Sequence, residues 1–255
     1  EDQLRNYWYA DEMTRPSGGR DFKFDGLLYS NNSIFNILRS MERHYSNTKG
    51  KMTIRGGVIA ADNRITDCAY SAVRANAAAD VQIVTNNVAR VGEVALYAEF
   101  AFSGAVISGN IVDGAAAGIS VTNFNEGGRL AVVEGNLIRN LARREHEPVD
   151  KRGEGIAVEA DATVVGNVIE AGIVVGWGRY MRDCVVSGNV VRASRVGIAI
   201  TADGEAGACL VHGNLVSGAS EGGVRAMRLG VLFGPDLTRQ ASESRRVVVA
   251  ANVTA

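Results

Sequence analysis

The sequence is poor in proline, cysteine and aromatic residues, with 3 Pro, 3 Cys and 6% Phe, Trp and Tyr among 255 residues. Proline lacks the backbone donor that a β-sheet needs, so its scarcity is typical of a chain that is hydrogen-bonded along most of its length. Three scattered cysteines are too few for a disulfide framework. Because no Cys/His cluster is present either, the sequence predicts no metal site of the zinc type.

Strong charge and long apolar runs are also missing. The formal net charge is -1, so no basic surface predicts binding to nucleic acid. No uncharged apolar run approaches the roughly 18 residues that a membrane span requires. With 22% charged and 46% hydrophobic residues, the chain has enough apolar material for one large or two small folded domains.

What the sequence has in abundance is glycine, 30 residues in all, much of it within a repeated unit that ends in Gly-Asn. Clear copies are Val106-Ile107-Ser108-Gly109-Asn110 and Val185-Val186-Ser187-Gly188-Asn189. A second anchor follows eight residues after the asparagine in these copies, as Gly118-Ile119 and Gly197-Ile198. Alignment on the asparagine gives one column: Asn63, Asn87, Asn110, Asn136, Asn167, Asn189, Asn214 and Asn252.

This repeat predicts an all-β fold, a right-handed single-stranded parallel β-helix with about 22–26 residues per coil. Each coil is expected to contain two short strands, and stacked asparagines would satisfy the backbone groups of the turn. The leucine-rich repeat is the main rival, but its LxxLxL pattern is missing. Cys184 and Cys209 occupy the same place in adjacent coils and are expected to stack as buried thiols.

The repeats divide the chain into two parts. Residues 53–255 are predicted to form the β-helix, with outward loops at 141–154 and 230–246, where extra residues interrupt the repeat. Residues 1–52 hold much of the aromatic content and lack a clean Gly-Asn unit. We interpret them as a divergent N-terminal segment, either a cap or imperfect first coils.

Candidate catalytic residues lie in the middle coils. Glu99 and Glu159 fall in one predicted column two coils apart, so roughly 9 to 10 Å should separate their backbones, near the carboxylate spacing of inverting glycosidases. A lyase or epimerase would need a base and a cation beside a uronate carboxylate, and the candidates are Arg74, Arg179 and Tyr180. The alternative interpretation, that all of these are surface residues without a catalytic role, stays open.

Candidate binding residues combine aromatic faces with polar groups, as sugar recognition requires. They are Arg74, Tyr97, Asn123, Asn125, Glu126, Trp177 and Tyr180. The polar turn at 123–128 is also compatible with Ca²⁺, although its single acid, Glu126, argues against a strong site. No other cofactor is predicted.

Four runs are more specific than the asparagine column: CAYSAVR at 68–74, EVALYAEF at 93–100, NFNEGGRL at 123–130 and GWGRY at 176–180. With them, residues 63–253 resemble the uncharacterised, twin-arginine-translocated repeat proteins of alphaproteobacteria. The resemblance implies β-helix repeats of this length and a periplasmic or secreted bacterial location, although this chain shows no export signal. The architecture is also similar to that of pectate lyases, pectin-active hydrolases and alginate epimerases, which act on acidic polysaccharides.

Two functions therefore compete. The first is an exported β-helix protein that binds or processes acidic polysaccharide in a groove on the solenoid face, as a lyase, epimerase or glycoside hydrolase if it is an enzyme. The alternative is a non-catalytic envelope scaffold or glycan-binding repeat protein. The expected partner in the first case is a polysaccharide or oligosaccharide, and the sequence predicts no oligomeric state.

Overall fold

The protein is a parallel β-helix built from three sheets, which confirms the predicted fold class. The computed structural model describes residues 22–30, 52–76, 78–99, 103–122, 129–142, 154–202, 204–239 and 246–255. These residues form 25 strands and no helix. The strands are numbered β1 to β25 along the chain.

The three sheets each take one strand from every complete coil. Sheet A holds the strand before the Gly-Asn corner: β1 (Phe22–Ser30), β2 (Met52–Ala61), β5 (Ala79–Val84), β8 (Ser103–Ser108), β11 (Arg129–Glu134), β14 (Ala162–Val165), β17 (Cys184–Ser187), β20 (Cys209–His212) and β24 (Val247–Ala250). Sheet B holds the strand after that corner: β3 (Arg64–Cys68), β6 (Asn87–Val91), β9 (Ile111–Asp113), β12 (Leu137–Arg139), β15 (Val168–Ile169), β18 (Val190–Arg192), β21 (Leu215–Ser217) and β25 (Val253–Thr254). Sheet C holds the strand at the second anchor: β4 (Val73–Asn76), β7 (Val94–Glu99), β10 (Ala117–Thr122), β13 (Glu154–Val158), β16 (Gly172–Val175), β19 (Ile198–Thr201) and β22 (Val224–Arg228). At its edge sheet C also includes β23 (Val231–Asp236), which lies in the excursion after β22.

The prediction of two strands per coil was wrong, because there are three. The Gly-Asn corner divides the first predicted stretch into a sheet A strand and a short sheet B strand, as at β8 and β9. Gly109 at this corner has φ of +64°, a conformation that glycine adopts without the steric penalty of a Cβ. The chain therefore turns sharply between two strands that read as one in the sequence.

The core fills the space between the three sheets. In β20, Cys209 and Val211 are buried whereas Leu210 and His212 are exposed, the alternation expected of a strand with one face on the core. Equivalent inward residues stack from coil to coil in register, as Ile107 does on Ile83. Full burial of each such side chain contributes about 1.5–3 kcal/mol.

The asparagine ladder is continuous, but one of its predicted members was wrong. In each step the Oδ1 of one asparagine accepts from both the backbone N–H and the side-chain amide of the asparagine before it, as Asn136 Oδ1 does from Asn110 at 2.9 Å. The second rung is Asn86 and not Asn87, which is exposed at the start of β6. The reason is that Thr85, with φ of +55°, takes the backbone position that glycine fills in other coils. The ladder is formed by Asn63, Asn86, Asn110, Asn136, Asn167, Asn189, Asn214 and Asn252.

Two of the three predicted irregular regions, 1–52 and 230–246, contain a strand of their own. Within 230–246, strand β23 turns back and pairs antiparallel with β22, so this excursion covers the edge of sheet C. Within 1–52, strand β1 pairs in parallel with β2, and the remainder of that segment before residue 52 lies outside the described residues. Most of the predicted loop at 141–154 also lies outside them.

Asp236, at the end of β23, links this antiparallel strand to the start of β22 through hydrogen bonds. Its carboxylate accepts from Gly223 N–H at 2.7 Å, from Val224 N–H at 3.3 Å and from Thr238 N–H and Oγ1 at 3.0 and 2.8 Å. Burial raises the pKa of Asp236, but these hydrogen bonds together outweigh burial, and the pKa lies below its ordinary value. The contribution of Asp236 to stability is therefore present above the unfolded-state pKa and is lost as the pH falls through the folded-state pKa.

We expect Asp236→Asn to lower the free energy of unfolding at pH 7 by about 1–3 kcal/mol, because an amide cannot accept all of these hydrogen bonds. Urea unfolding at pH 7 and at pH 3 measures the effect, and the difference from the wild type should shrink at pH 3. Asp183→Asn is the matched control, since Asp183 is exposed. An equal loss at both pH values would contradict the role of the ionised carboxylate.

Candidate functional site

Three of the predicted site residues meet on the outer face of sheet C. Arg74 and Tyr97 are direct neighbours on β4 and β7, and Glu99 lies two residues further along β7. Arg74 Nε donates to Glu99 Oε2 at 2.7 Å, and Arg74 Nη2 donates to the same oxygen. Tyr97 OH donates to Glu99 Oε1 at 3.0 Å, and the Arg74 guanidinium lies 5.2 Å from the centre of the Tyr97 ring. We call these residues the Arg74–Tyr97–Glu99 cluster.

Tyr97 and Glu99 are buried although they lie outside the solenoid core, whereas the Arg74 side chain is 28% exposed. All six residues of β7 are buried, including Tyr97 at 2% and Glu99 at 6% exposure. Tyr97 also packs with Val94 and Ala117 in a small apolar cluster separate from the main core. A buried carboxylate needs such partners, and both oxygens of Glu99 already have them. Arg74 and Tyr97 therefore hold the Glu99 carboxylate in one orientation.

Glu159 lies in the same column as Glu99, two coils away. Register pairs Glu99 with Thr122, and Val121 with Val158, so Glu159 follows at the equivalent place after β13. Strand spacing puts their backbones roughly 10 Å apart. Glu159 is also buried, at 5% exposure. The two glutamates therefore lie in one column two coils apart, as the sequence predicts, but both are buried.

A second group of predicted residues lies in the turn that follows β16. Arg179 and Tyr180 are exposed, Arg179 Nη2 donates to Tyr180 OH at 3.0 Å, and the guanidinium lies 5.1 Å from the centre of the ring. Trp177 is half-buried against Gly230, where an added Cβ would lie 2.8 Å from the indole. This packing fixes one side of the turn. Strand spacing separates β7 from β16 by roughly 14 Å, so this turn and the Arg74–Tyr97–Glu99 cluster are distinct.

The remaining predicted binding residues, Asn123, Asn125 and Glu126, lie outside the described residues, and so does the suggested Ca²⁺ turn. Across the part of the chain that the structure describes, no group of three or more His, Cys, Asp or Glu side chains could hold a metal ion.

The cysteines belong to the core. Cys184 and Cys209 are register partners on β17 and β20, and both are buried, which confirms the predicted stack. Burial raises the pKa of the Cys184 thiol to about 12 and raises the pKa of Cys209 as well. Both thiols are therefore protonated at neutral pH and unsuited to nucleophilic chemistry.

Sequence reasoning missed a series of ion pairs between coils. Six ion pairs join described residues, and each links one coil to the next: Arg74–Glu99, Arg90–Asp67, Arg139–Asp113, Arg179–Glu205, Arg182–Asp161 and Arg195–Glu221. The hydrogen bonds from Arg90 lower the pKa of Asp67 to about 2. Opposite charges separated by one coil length were the signal that could have revealed them.

Fold and surface together define a three-sheet parallel β-helix with a buried charged cluster and an exposed turn that carries arginine and tyrosine. No family model, no curated protein and no solved structure matches the chain. The resemblance to twin-arginine-translocated repeat proteins therefore stays a prediction. Among the described residues, no helix is long and apolar enough to cross a membrane.

Proposed function

We propose that the protein is a non-catalytic β-helix that binds an acidic glycan. The observation that carries this proposal is the commitment of Glu99 to Arg74 and Tyr97 within the chain. Removing one partner of a buried ion pair is strongly unfavourable, because the other charge is left uncompensated. The role of a carboxylate held in this way is to stabilise the fold, and it is poorly suited to act as a general base.

The binding surface in this proposal is the turn from Trp177 to Tyr180. Tyr180 offers an exposed aromatic face, on which a sugar ring can stack. Arg179 supplies a planar cation that can pair with a uronate carboxylate through two hydrogen bonds. Since Trp177 packs against Gly230, the turn is anchored and would lose little freedom on binding.

A periplasmic or secreted location is part of the same proposal. It rests on the resemblance to exported repeat proteins, and an acidic polysaccharide is a ligand found at the cell surface or outside the cell. In that setting the protein would serve as an envelope scaffold that holds glycan.

Processing of the polysaccharide is the second candidate function. The observation in its favour is the pair of buried glutamates, Glu99 and Glu159, which lie in one column with their backbones roughly 10 Å apart. This separation is near the upper end of the roughly 6.5–9.5 Å that inverting glycosidases use.

We expect the purified protein to bind soluble alginate or polygalacturonate in biolayer interferometry. Tyr180→Ala and Arg179→Ala should each weaken binding about five- to tenfold, which corresponds to about 1–1.4 kcal/mol for one stacking or charge contact. The effect of Arg179→Ala should shrink at high salt. Tyr70→Ala is the matched control, since Tyr70 is an exposed tyrosine in another coil.

Equal weakening in Tyr70→Ala, or no binding to any uronate polymer, would contradict the proposed surface. The same samples are assayed for new reducing ends and for unsaturated products. Turnover that disappears in Glu159→Gln would favour the catalytic alternative.

A further inference from the structure

The outer face of sheet B carries a column of aliphatic side chains, four of them exposed and two, Leu137 and Val190, half-buried. Register connects them from one coil to the next: Ile111, Leu137, Val168, Val190, Leu215 and Val253. Ile111 is 37% exposed, Val168 and Leu215 are each 41% exposed and Val253 is 58% exposed. At one strand spacing per coil the column is roughly 24 Å long. Contact with another protein surface would remove this apolar strip from water.

Beside this aliphatic column runs a column of charges whose sign alternates. Asp113 pairs in register with Arg139, and the next two coils place Glu170 and Arg192 at the equivalent position. Arg139 Nη2 lies 2.9 Å from Asp113 Oδ2. The side chains of Glu170 and Arg192 are exposed, and neither forms an ion pair or hydrogen bond with the part of the chain that the structure describes.

We propose that this face of sheet B pairs with the same face of a second copy of the chain, with the two solenoids antiparallel. Read in one direction, the charged column is negative, positive, negative, positive. Read in the other direction it is positive, negative, positive, negative, so two antiparallel copies match every charge with its opposite. Such a contact is an isologous twofold interface, in which one surface is complementary to itself.

The twofold axis lies between the coil of Arg139 and the coil of Glu170. Arg139 then faces Glu170 of the second copy, and Asp113 faces Arg192 of the second copy. In the aliphatic column, Leu137 faces Val168 of the second copy. Both copies have the same strand spacing, so all of these contacts stay in register along the length of the two solenoids.

A parallel arrangement does not give this match. Turning one copy about an axis along the solenoid sets each coil against the same coil of the other copy. Asp113 would then face either its own equivalent or the aliphatic column. Like charges across an interface cost several kcal/mol, so the pattern selects the antiparallel arrangement.

The size of the face sets the strength of the association. A strip roughly 24 Å long and roughly 10 Å wide buries about 500 Å² in total over two copies, below the roughly 1,200 Å² of a stable interface. The dimer is therefore weak and reversible.

Sedimentation velocity on the full chain, from about 10 µM to about 1 mM, tests the proposal. The wild type should show a concentration-dependent monomer–dimer equilibrium. Glu170→Arg sets like charges against Arg139 twice in each dimer, and Arg139→Glu does the same against Glu170, so each variant alone should weaken association at least tenfold. An equimolar mixture of the two variants should restore it, because every facing pair is then of opposite sign.

Two further variants separate this interface from general effects. Glu134→Arg makes the same charge change on the outer face of sheet A, where Glu134 is exposed, and it should associate like the wild type. Val168→Ser removes apolar surface beside the twofold axis without altering charge, and it should weaken association. Circular dichroism and thermal unfolding verify that each variant is folded. A wild type that stays monomeric at about 1 mM, or a mixture that does not associate better than its components, would overturn the proposal.

Discussion

Asn86→Ala is expected to lower the free energy of unfolding by about 2–4 kcal/mol, as measured by urea denaturation. Asn86 Oδ1 accepts from Asn63 N–H at 3.1 Å and from Asn63 Nδ2 at 2.9 Å. Its amide donates to Ala60 O at 2.8 Å and to Asn110 Oδ1 at 3.0 Å. Alanine would remove the side-chain acceptor of Asn63 N–H and the side-chain donor to Ala60 O, in a site where water cannot replace the side chain because Asn86 is 1% exposed. Asn63 Nδ2 and Asn110 Oδ1 would each keep one hydrogen bond, with Ala61 O and with the backbone N–H of residue 86.

The neighbouring residue supplies the control. Asn87→Ala should change the free energy of unfolding by less than about 0.5 kcal/mol, because Asn87 is exposed and surface substitutions have small effects. The two variants have the same change of composition and differ by one position in the chain. If Asn87→Ala were the more destabilising variant, the ladder would run through the residue that the repeat alignment predicts.

Gly118→Ala is the second change with a large expected effect, a loss of about 2–4 kcal/mol in the free energy of unfolding. An added Cβ would lie 2.3 Å from the carbonyl oxygen of Gly155 and 2.9 Å from Cγ2 of Ile138. Backbone and a buried isoleucine cannot both move away without disturbing the stacked coils, since the interior is close-packed. Alanine is accepted at this position in the two preceding coils, as Ala72 and Ala95, so the requirement is local to the later coils.

Gly204→Ala is the matched control for this prediction. An added Cβ at Gly204 meets nothing within 4 Å, so the substitution should be neutral or slightly stabilising through the lower entropy of the unfolded chain. Urea denaturation of both variants measures the difference. Equal stability of Gly118→Ala and Gly204→Ala would mean that the coils can move apart at the Gly118 position.

The fold could be predicted because the coils repeat the same short sequence pattern and, with it, the same corner and strand register. Gly188-Asn189 and Gly213-Asn214 form the same corner, and the same register follows in each coil. The exception is Thr85-Asn86, where the sequence pattern alone does not identify which asparagine belongs to the ladder. A threonine with positive φ is uncommon, so alignment on the second asparagine of Asn86-Asn87 was the natural error. Only the hydrogen bonds distinguish the buried asparagine from the exposed one.

The candidate site was predictable only in part. The column that holds Glu99 and Glu159 follows from the repeat period, but the engagement of Glu99 by Arg74 depends on side-chain reach between adjacent coils. Trp177 gave no sequence signal for its contact with Gly230, which lies 53 residues further along the chain. That contact requires β23 to turn back onto β22, a reversal that the repeat does not encode.

The sequence by itself determined the class of fold, the coil length and the stacking of buried Cys184 on Cys209, because these depend on spacing along the chain. The tertiary structure alone decided which charges are enclosed and which are exposed. The number of strands per coil, the identity of the second ladder residue and the partners of Glu99 all depend on it. The physical reason is that strand spacing carries a sequence period directly into space, whereas burial and hydrogen bonding depend on what neighbouring coils and excursions place against each side chain.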